Sequence, residues 1–300
     1  MRGKNAIPKK KLIVTGASGF LGWNLCQETK DKWDIYGTVY SHPLKIEQVK
    51  IIRIDLTDFD SLKKVFQEIQ PHAVIHTAAA ASPNYCQAHP EESRKINLDA
   101  SLYIAGLCAD HKIPCVFTST DIVFDGLNPP YKEDAPVSPI NIYGEQKALA
   151  EEGMLKRYPK TAVCRMPLMF GLSSPASASF IQPMIKAMRE GREVKLFTDE
   201  YRTPVSGKTA VGGLLLALEK VNGIIHLGGK ERIARYDFGK LVQRLYGLQN
   251  AVLTPCLQKD VVTPASRPTD VSLDSSKAVR LGYIQPTLID DLKSLSDNNQ

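Results

Sequence analysis

One short segment constrains this chain more than any other. Gly16-Ala-Ser-Gly19-Phe-Leu-Gly22 stands directly after the apolar run Leu12-Ile-Val14 and opens an amphipathic stretch. Glycines at this spacing permit a tight strand-to-helix turn, in which backbone N–H groups approach a pyrophosphate at the helix N-terminus. The pattern is GxxGxxG rather than GxGxxG, but the physical logic is shared, and the strand-to-helix context favours a dinucleotide site over a purely structural turn.

The rest of the first half agrees with such a turn. Strand readings at residues 35–40 and 51–54 are followed by a helix that Asp58 can cap, with Leu62, Val65, Phe66 and Ile69 on one face. Pro71 closes that helix, and Ala73-Val-Ile75 begins a fourth strand. Ile96, Ala100, Tyr103, Ile104 and Leu107 mark another helix, and Pro114 introduces a strand over residues 115–118. Strands alternating with helices predict an α/β fold, a doubly wound parallel sheet of Rossmann type that binds ligands beyond the carboxyl ends of its strands.

After Arg165 the rhythm breaks. Residues 171–179 are rich in Ser, Ala and Pro and read as a loop, as does 263–270. Helices are expected at 209–220 and 236–246, with a strand at 224–227. The organisation predicted is a cofactor domain over 1–170 with a return segment near 205–230. A smaller α+β substrate lobe is assembled from 171–204 and 231–300. No internal repeat is visible.

Composition excludes several classes. The longest apolar run, residues 211–218, holds two glycines and falls far short of the roughly 18 residues of a membrane span. The basic start is followed by no long apolar stretch, so it does not read as a secretory signal. A net charge of +6 is scattered, with only Lys9 to Lys11 forming a run, which argues for an anionic small molecule rather than nucleic acid. The six cysteines form no CxxC and read as reduced thiols in a cytoplasmic setting. His72 and His76 flank Ala73-Val-Ile75 without an acidic or thiol partner, so no metal is expected.

Three features carry chemistry. The end of the second strand, Tyr40-Ser-His-Pro43, lacks the acid that would hold an adenosine ribose; Ser41, His42 and Lys45 suit a 2′-phosphate, which leans the cofactor toward NADPH, with NADH the alternative. Tyr143-Gly-Glu-Gln-Lys147, if helical, places phenol and ammonium one turn apart, and the ammonium is expected to lower the tyrosine pKa from about 10. Tyr143 then reads as a general acid toward a ketone. Upstream, Thr118-Ser-Thr-Asp121 ends the fifth strand and offers a hydroxyl to the same carbonyl.

Taken together these residues resemble the extended short-chain dehydrogenase/reductases, and more narrowly the dTDP-4-dehydrorhamnose reductases. The resemblance is carried by Thr15-Gly-Ala-Ser-Gly-Phe-Leu-Gly22, His76-Thr-Ala-Ala-Ala80, Ile96-Asn97, Ser119-Thr-Asp-Ile-Val-Phe-Asp-Gly126, the segment 139–147, and Ser266-Arg-Pro-Thr-Asp-Val-Ser-Leu273. It implies a Thr120, Tyr143 and Lys147 catalytic set, with Lys147 also holding the nicotinamide ribose. Gly16, Ser18, Gly19, Phe20 and Leu21 would cradle the pyrophosphate. Asp55 and Leu56 would meet the adenine. Ala78, Ala79 and Ala80 would run beside the cofactor, braced by Asn97.

The same resemblance implies a nucleotide-sugar substrate contacted by Asp121, Phe180, Arg202 and Arg267, the arginines at its diphosphate. Ile122 stands where the family often has Tyr, and Leu168 where bacterial members commonly carry Trp, so the particular sugar stays open. A homodimer is compatible but no dimer face can be read.

Two alternatives remain. The scaffold also resembles nucleotide-sugar epimerases; dehydratases are disfavoured because no Glu follows Asp121. Gln70-Pro-His-Ala-Val-Ile-His76 and Asp125-Gly-Leu-Asn-Pro-Pro-Tyr131 resemble the regulatory beta subunit of methionine adenosyltransferase, which binds a partner rather than turning over a sugar.

Overall fold

A computed structural model describes residues 8–42, 44–177 and 179–297; Pro43 and the first seven residues of the basic start lie outside them. Seven parallel strands form the centre: β1 (Lys11–Thr15), β2 (Asp34–Val39), β3 (Val49–Arg53), β4 (Ala73–His76), β5 (Cys115–Thr120), β6 (Ala162–Met166) and β7 (Gly223–His226). Their order is β7-β6-β5-β4-β1-β2-β3, so the order in which strands are added switches sides between β1 and β4. Registers such as Val14↔Gly37, Thr15↔His76 and Thr120↔Met166 align the carboxyl ends along one edge. β4, β5 and β6 are buried at every position, as in a parallel sheet covered on both faces.

Helices cover both faces. α1 (Phe20–Thr29) packs on one, in a core with Leu12, Leu25, Cys164 and Leu214. α2 (Phe59–Ile69), α3 (Ala100–His111) and α4 (Ile142–Arg157) cover the other, around Phe66, Phe117, Ile104 and Met154. Truncating such buried side chains to alanine costs about 2–5 kcal/mol each. Asp58 caps α2 by accepting from Ser61 N at 3.1 Å, and the helix stops at Ile69, with Gln70 turning left-handed before Pro71. α5 (Gly207–Lys220) lies with α1 in the first core.

The helix expected through Ile96 is not continuous. A short helix Pro90–Arg94 passes into a wide turn of π geometry, Lys95–Asp99, before α3 begins. That turn aims Asn97 at the backbone of Ala80, and such local widening recurs where a side chain must reach a site.

A separate apolar cluster gathers Phe170, Ile181, Met184, Phe238, Val242 and Leu292, from Ile181–Arg189, α6 (Arg235–Leu245) and Leu288–Asp297. Two-residue strands knit this region together, Tyr201–Arg202 pairing antiparallel with Ile233–Ala234. All six cysteines are free of disulfides. No helix among the described residues is long and apolar enough to cross a membrane.

Candidate active site

The glycine turn leaves β1 with Gly16 at φ +69°, and a Cβ there would come within 2.8 Å of the Ala78 backbone. At Gly22 a Cβ would lie 2.3 Å from the Gly16 carbonyl, so turn and helix approach closer than any side chain allows. α1 then starts without a side-chain cap, and its first N–H groups are left for an anion. A cleft of about 390 Å³ runs from this turn along the carboxyl edge. It is lined by Gly16, Ser18, Gly19, Thr38, Ser41, Asp55, Leu56, Ala78, Ala79 and Ala80, among others.

Several residues expected at the cofactor contribute differently. Leu21 is buried in the core beneath α1 and Phe20 packs against it, so neither side chain lines the cleft and only their backbone can serve a phosphate. His42 is exposed outside the lining, its Nδ1 2.9 Å from Ser41 Oγ. Asp55 accepts from Thr57 N and Oγ1 at 2.9 and 2.7 Å, which fixes its turn. Asn97 lies behind the lining: Oδ1 accepts from Ala80 N at 2.9 Å and Nδ2 donates to Gln146 Oε1 at 2.9 Å. It therefore ties the alanine wall to α4.

His76 supports the same wall from below. Thr15 Oγ1 accepts from Thr77 N and Ala78 N and lies 2.6 Å from His76 Nδ1, while Nε2 lies 3.1 Å from Ser101 Oγ. Burial pushes this imidazole down to about 3, with Lys147 adding to the effect, so it is neutral. His72 instead accepts from Lys11 N at the exposed start of β1.

Thr120, at the end of β5, and Tyr143 and Lys147, in the first turns of α4, are all buried. Asn141 caps α4 by accepting from Gly144 N at 2.9 Å. Gly144 presses the helix onto the strand exit, since a Cβ there would meet Ile122 O at 2.4 Å. Lys147 Nζ lies 4.0 Å from the Phe117 ring centroid. Burial lowers Lys147 to about 7 against the opposing pull of Glu151 and Cys86.

The expectation for Tyr143 is reversed. Its pKa rises, first through burial and then through the Asp121 carboxylate and Cys86, with only the Thr120 hydroxyl pulling it down. Desolvation and the nearby carboxylate outweigh the Thr120 hydroxyl, so the phenol keeps its proton, as a donor must.

Arg202, expected at a substrate diphosphate, is ion-paired within the protein. It is buried, with Nη1 2.8 Å from Asp121 Oδ1 and Nη2 3.4 Å from Glu200 Oε1. Burial raises Asp121 while Arg202 opposes the rise, and its Oδ2 has no partner. Phe180 packs against Phe238 at 5.3 Å and carries the Arg235 guanidinium 4.1 Å from its ring centroid. Arg267 is half-buried, with Nε lacking a partner.

Sequence reasoning missed Arg235, Glu200, Gln146 and the Glu151–Arg165 pair. Glu151 and Arg165 form a buried ion pair at 2.8 Å behind Lys147. Gln146 lies inside the Tyr143–Lys147 segment and Glu151 one turn beyond it on the same helix, whereas the others carry no local signal.

Comparison with known proteins fits this geometry. A curated relative, the methionine adenosyltransferase 2 subunit beta of Danio rerio, is 28% identical over 283 residues, 92% of this chain and 86% of its own. A probable low-salt glycan biosynthesis reductase of Haloferax volcanii is 30% identical over 289 residues, covering 94% and 96%. The solved dTDP-4-dehydrorhamnose reductase of Clostridium acetobutylicum superposes with a TM-score of 0.83 at 27% identity, over 97% of this chain and 99% of that one. The model of the RmlD substrate binding domain matches residues 10–298, and with glycine cradle, buried Tyr–Lys pair and parallel sheet in place, the chain belongs to that family, within the extended short-chain dehydrogenase/reductases.

Proposed function

We propose that this chain is an NAD(P)H-dependent reductase of the 4-keto group of a nucleotide-linked deoxysugar, similar to the dTDP-4-dehydrorhamnose reductases. The observation that carries the reading is the burial of Thr120, at the carboxyl end of β5, with Tyr143 and Lys147 on the helix packed against that strand exit, in a sheet whose β1 exit carries the glycine cradle. The close approach of Gly16 to Ala78 and the uncapped start of α1 fit a dinucleotide. Reduced nicotinamide, when bound, supplies the hydride. Ser41 at the mouth, with no acid beside it, supports a preference for NADPH.

Each protein group then has a defined task. Tyr143 holds its proton until the C4 oxygen gains charge, and passes it there. Thr120, whose hydroxyl lies next to Asp121 Oδ1 at 3.2 Å, orients the same oxygen. Lys147, with its pKa near 7, supplies positive charge at the ribose and beside the phenol when protonated. The cofactor domain would comprise 1–170 with 205–230, and the remainder a substrate lobe working in the cytoplasm.

The test follows the absorbance of NADPH or NADH with dTDP-4-dehydro-β-L-rhamnose. Tyr143→Phe is expected to lower turnover by roughly 10²–10⁴-fold with cofactor affinity nearly unchanged; full retained activity removes Tyr143 from its role. An epimerase would hold its nicotinamide through purification and consume none.

A second reading is favoured by the 28% identity to the Danio rerio methionine adenosyltransferase 2 subunit beta: a nucleotide-binding partner of that synthetase. Co-purification with the synthetase, without turnover of any keto sugar, supports it.

A further inference from the structure

Lys147 is buried without a carboxylate of its own. Among the described residues its Nζ has no hydrogen-bond or ion-pair partner. The groups around it are committed elsewhere or uncharged. Glu151, one turn on along α4, accepts from Arg165 Nε and Nη2 at 2.8 to 3.2 Å. Asp121, the carboxylate beside Tyr143, is held by Arg202. Cys86 donates from Sγ to Ala80 O at 3.1 Å, and burial raises its thiol, so it stays neutral. Tyr143 keeps its proton, and His76 carries none to spare.

What meets the ammonium is an aromatic ring. Nζ stands 4.0 Å from the centroid of Phe117. That side chain is fully buried on β5, in one core with Ala150 and Met154 of α4. The sheet register sets it beside His76 of β4, and the two rings stack with centroids 5.6 Å apart and planes 25° apart. His76 is fixed in turn between Thr15 Oγ1 and Ser101 Oγ, so the Phe117 ring has a rigid neighbour on the sheet. A ring face attracts a cation within about 6 Å, and does so more strongly where water is excluded. A carboxylate in its place would cancel the positive charge, whereas a ring holds that charge and leaves it uncancelled.

We propose that Phe117 is a positioning residue for the reaction, the face of its ring seating the Lys147 ammonium beside Tyr143 in place of a counter-ion. The proposal rests on the reductase reading above, in which Lys147 acts while protonated. A ring face favours the charged amine, so a weaker face lets the proton leave at lower pH.

Fluorination draws negative charge out of the ring face with little change of shape. Mono-, di- and trifluorinated phenylalanine at residue 117 of the full chain therefore separate attraction from packing, and the lighter substitutions serve if the heaviest prevents folding. The first readout needs no cofactor: it is the isotope-labelled lysine Cε resonance that titrates near pH 7 and is lost in Lys147→Met. Its midpoint is expected to step down with each fluorine, by roughly 0.5–1 pH unit over the series, a threefold to tenfold loss of proton affinity. With NADPH and a keto sugar turning over, the alkaline fall in kcat should move down by the same amount while the KM for NADPH holds. A midpoint indifferent to fluorination overturns the proposal, and so does an alkaline limb that stays fixed while the resonance moves. Failure of every keto sugar to turn over defeats the reductase reading alone, since a moving resonance still establishes the seat.

Discussion

At Lys147 burial and charge pull in opposite directions, and burial wins. The side chain is 1% exposed, and its pKa falls to about 7 from 10.5. A depressed folded-state lysine binds fewer protons than the unfolded chain between those values, so stability rises with pH from about 7 to 10.5 and is flat below. Lys147→Met is therefore expected to stabilise the cofactor-free protein. Its advantage in urea denaturation should be larger at pH 7 than at pH 10; an equal advantage at both contradicts the neutralised lysine. The partner tyrosine shows why this was not legible. YxxxK spacing does place the two groups on one helix face, as the sequence implies, but spacing says nothing of the desolvation that raises Tyr143.

At the scale of elements, legibility follows how local each signal is. The Gly16–Gly22 turn is contiguous, and its strand and helix form where expected. Asp58 and Pro71 likewise bound α2. By contrast the wide turn Lys95–Asp99 answers to Ala80, seventeen residues away, and no periodicity announces it. Removing its anchor tests the element: Asn97→Ala leaves Ala80 N and Gln146 Oε1 without their bonds and is expected to cost about 2–4 kcal/mol. Cofactor KM should rise as well, because the Ala78–Ala80 wall loses its brace. A loss of stability with unchanged KM removes the link between this turn and the cleft. Least legible was the meeting of Arg202, Arg235 and Arg267, which rests on two-residue strands and a single bridge between segments far apart in sequence.

For the whole molecule, α4 serves both the site and the packing of the sheet. Its N-terminal turns hold Tyr143 and Lys147, and one turn on Glu151 pairs with Arg165 of β6, which reaches His226 of β7 at 3.3 Å. Burial and the adjacent Arg165 push His226 down to about 3, so the guanidinium has Glu151 as its counter-ion. Glu151→Gln is expected to cost about 3–5 kcal/mol by leaving that charge buried, and replacing both partners with apolar residues should recover much of it. Denaturation curves of the single and double variants measure this directly; a loss below 1 kcal/mol argues that water reaches the pair.

The loop after residue 170 touches the glycine turn itself. Ser174 Oγ donates to Ser18 O at 2.6 Å, and Asn24 Nδ2 donates to Leu172 O at 2.9 Å. The loop is thus latched to the glycine turn and to the helix that follows it. On the proposed function, filling the glycine turn bears on this loop before any sugar arrives: NADPH alone should slow hydrogen exchange of amides at residues 172–177, with cofactor binding first and sugar second, and unchanged exchange contradicts the coupling.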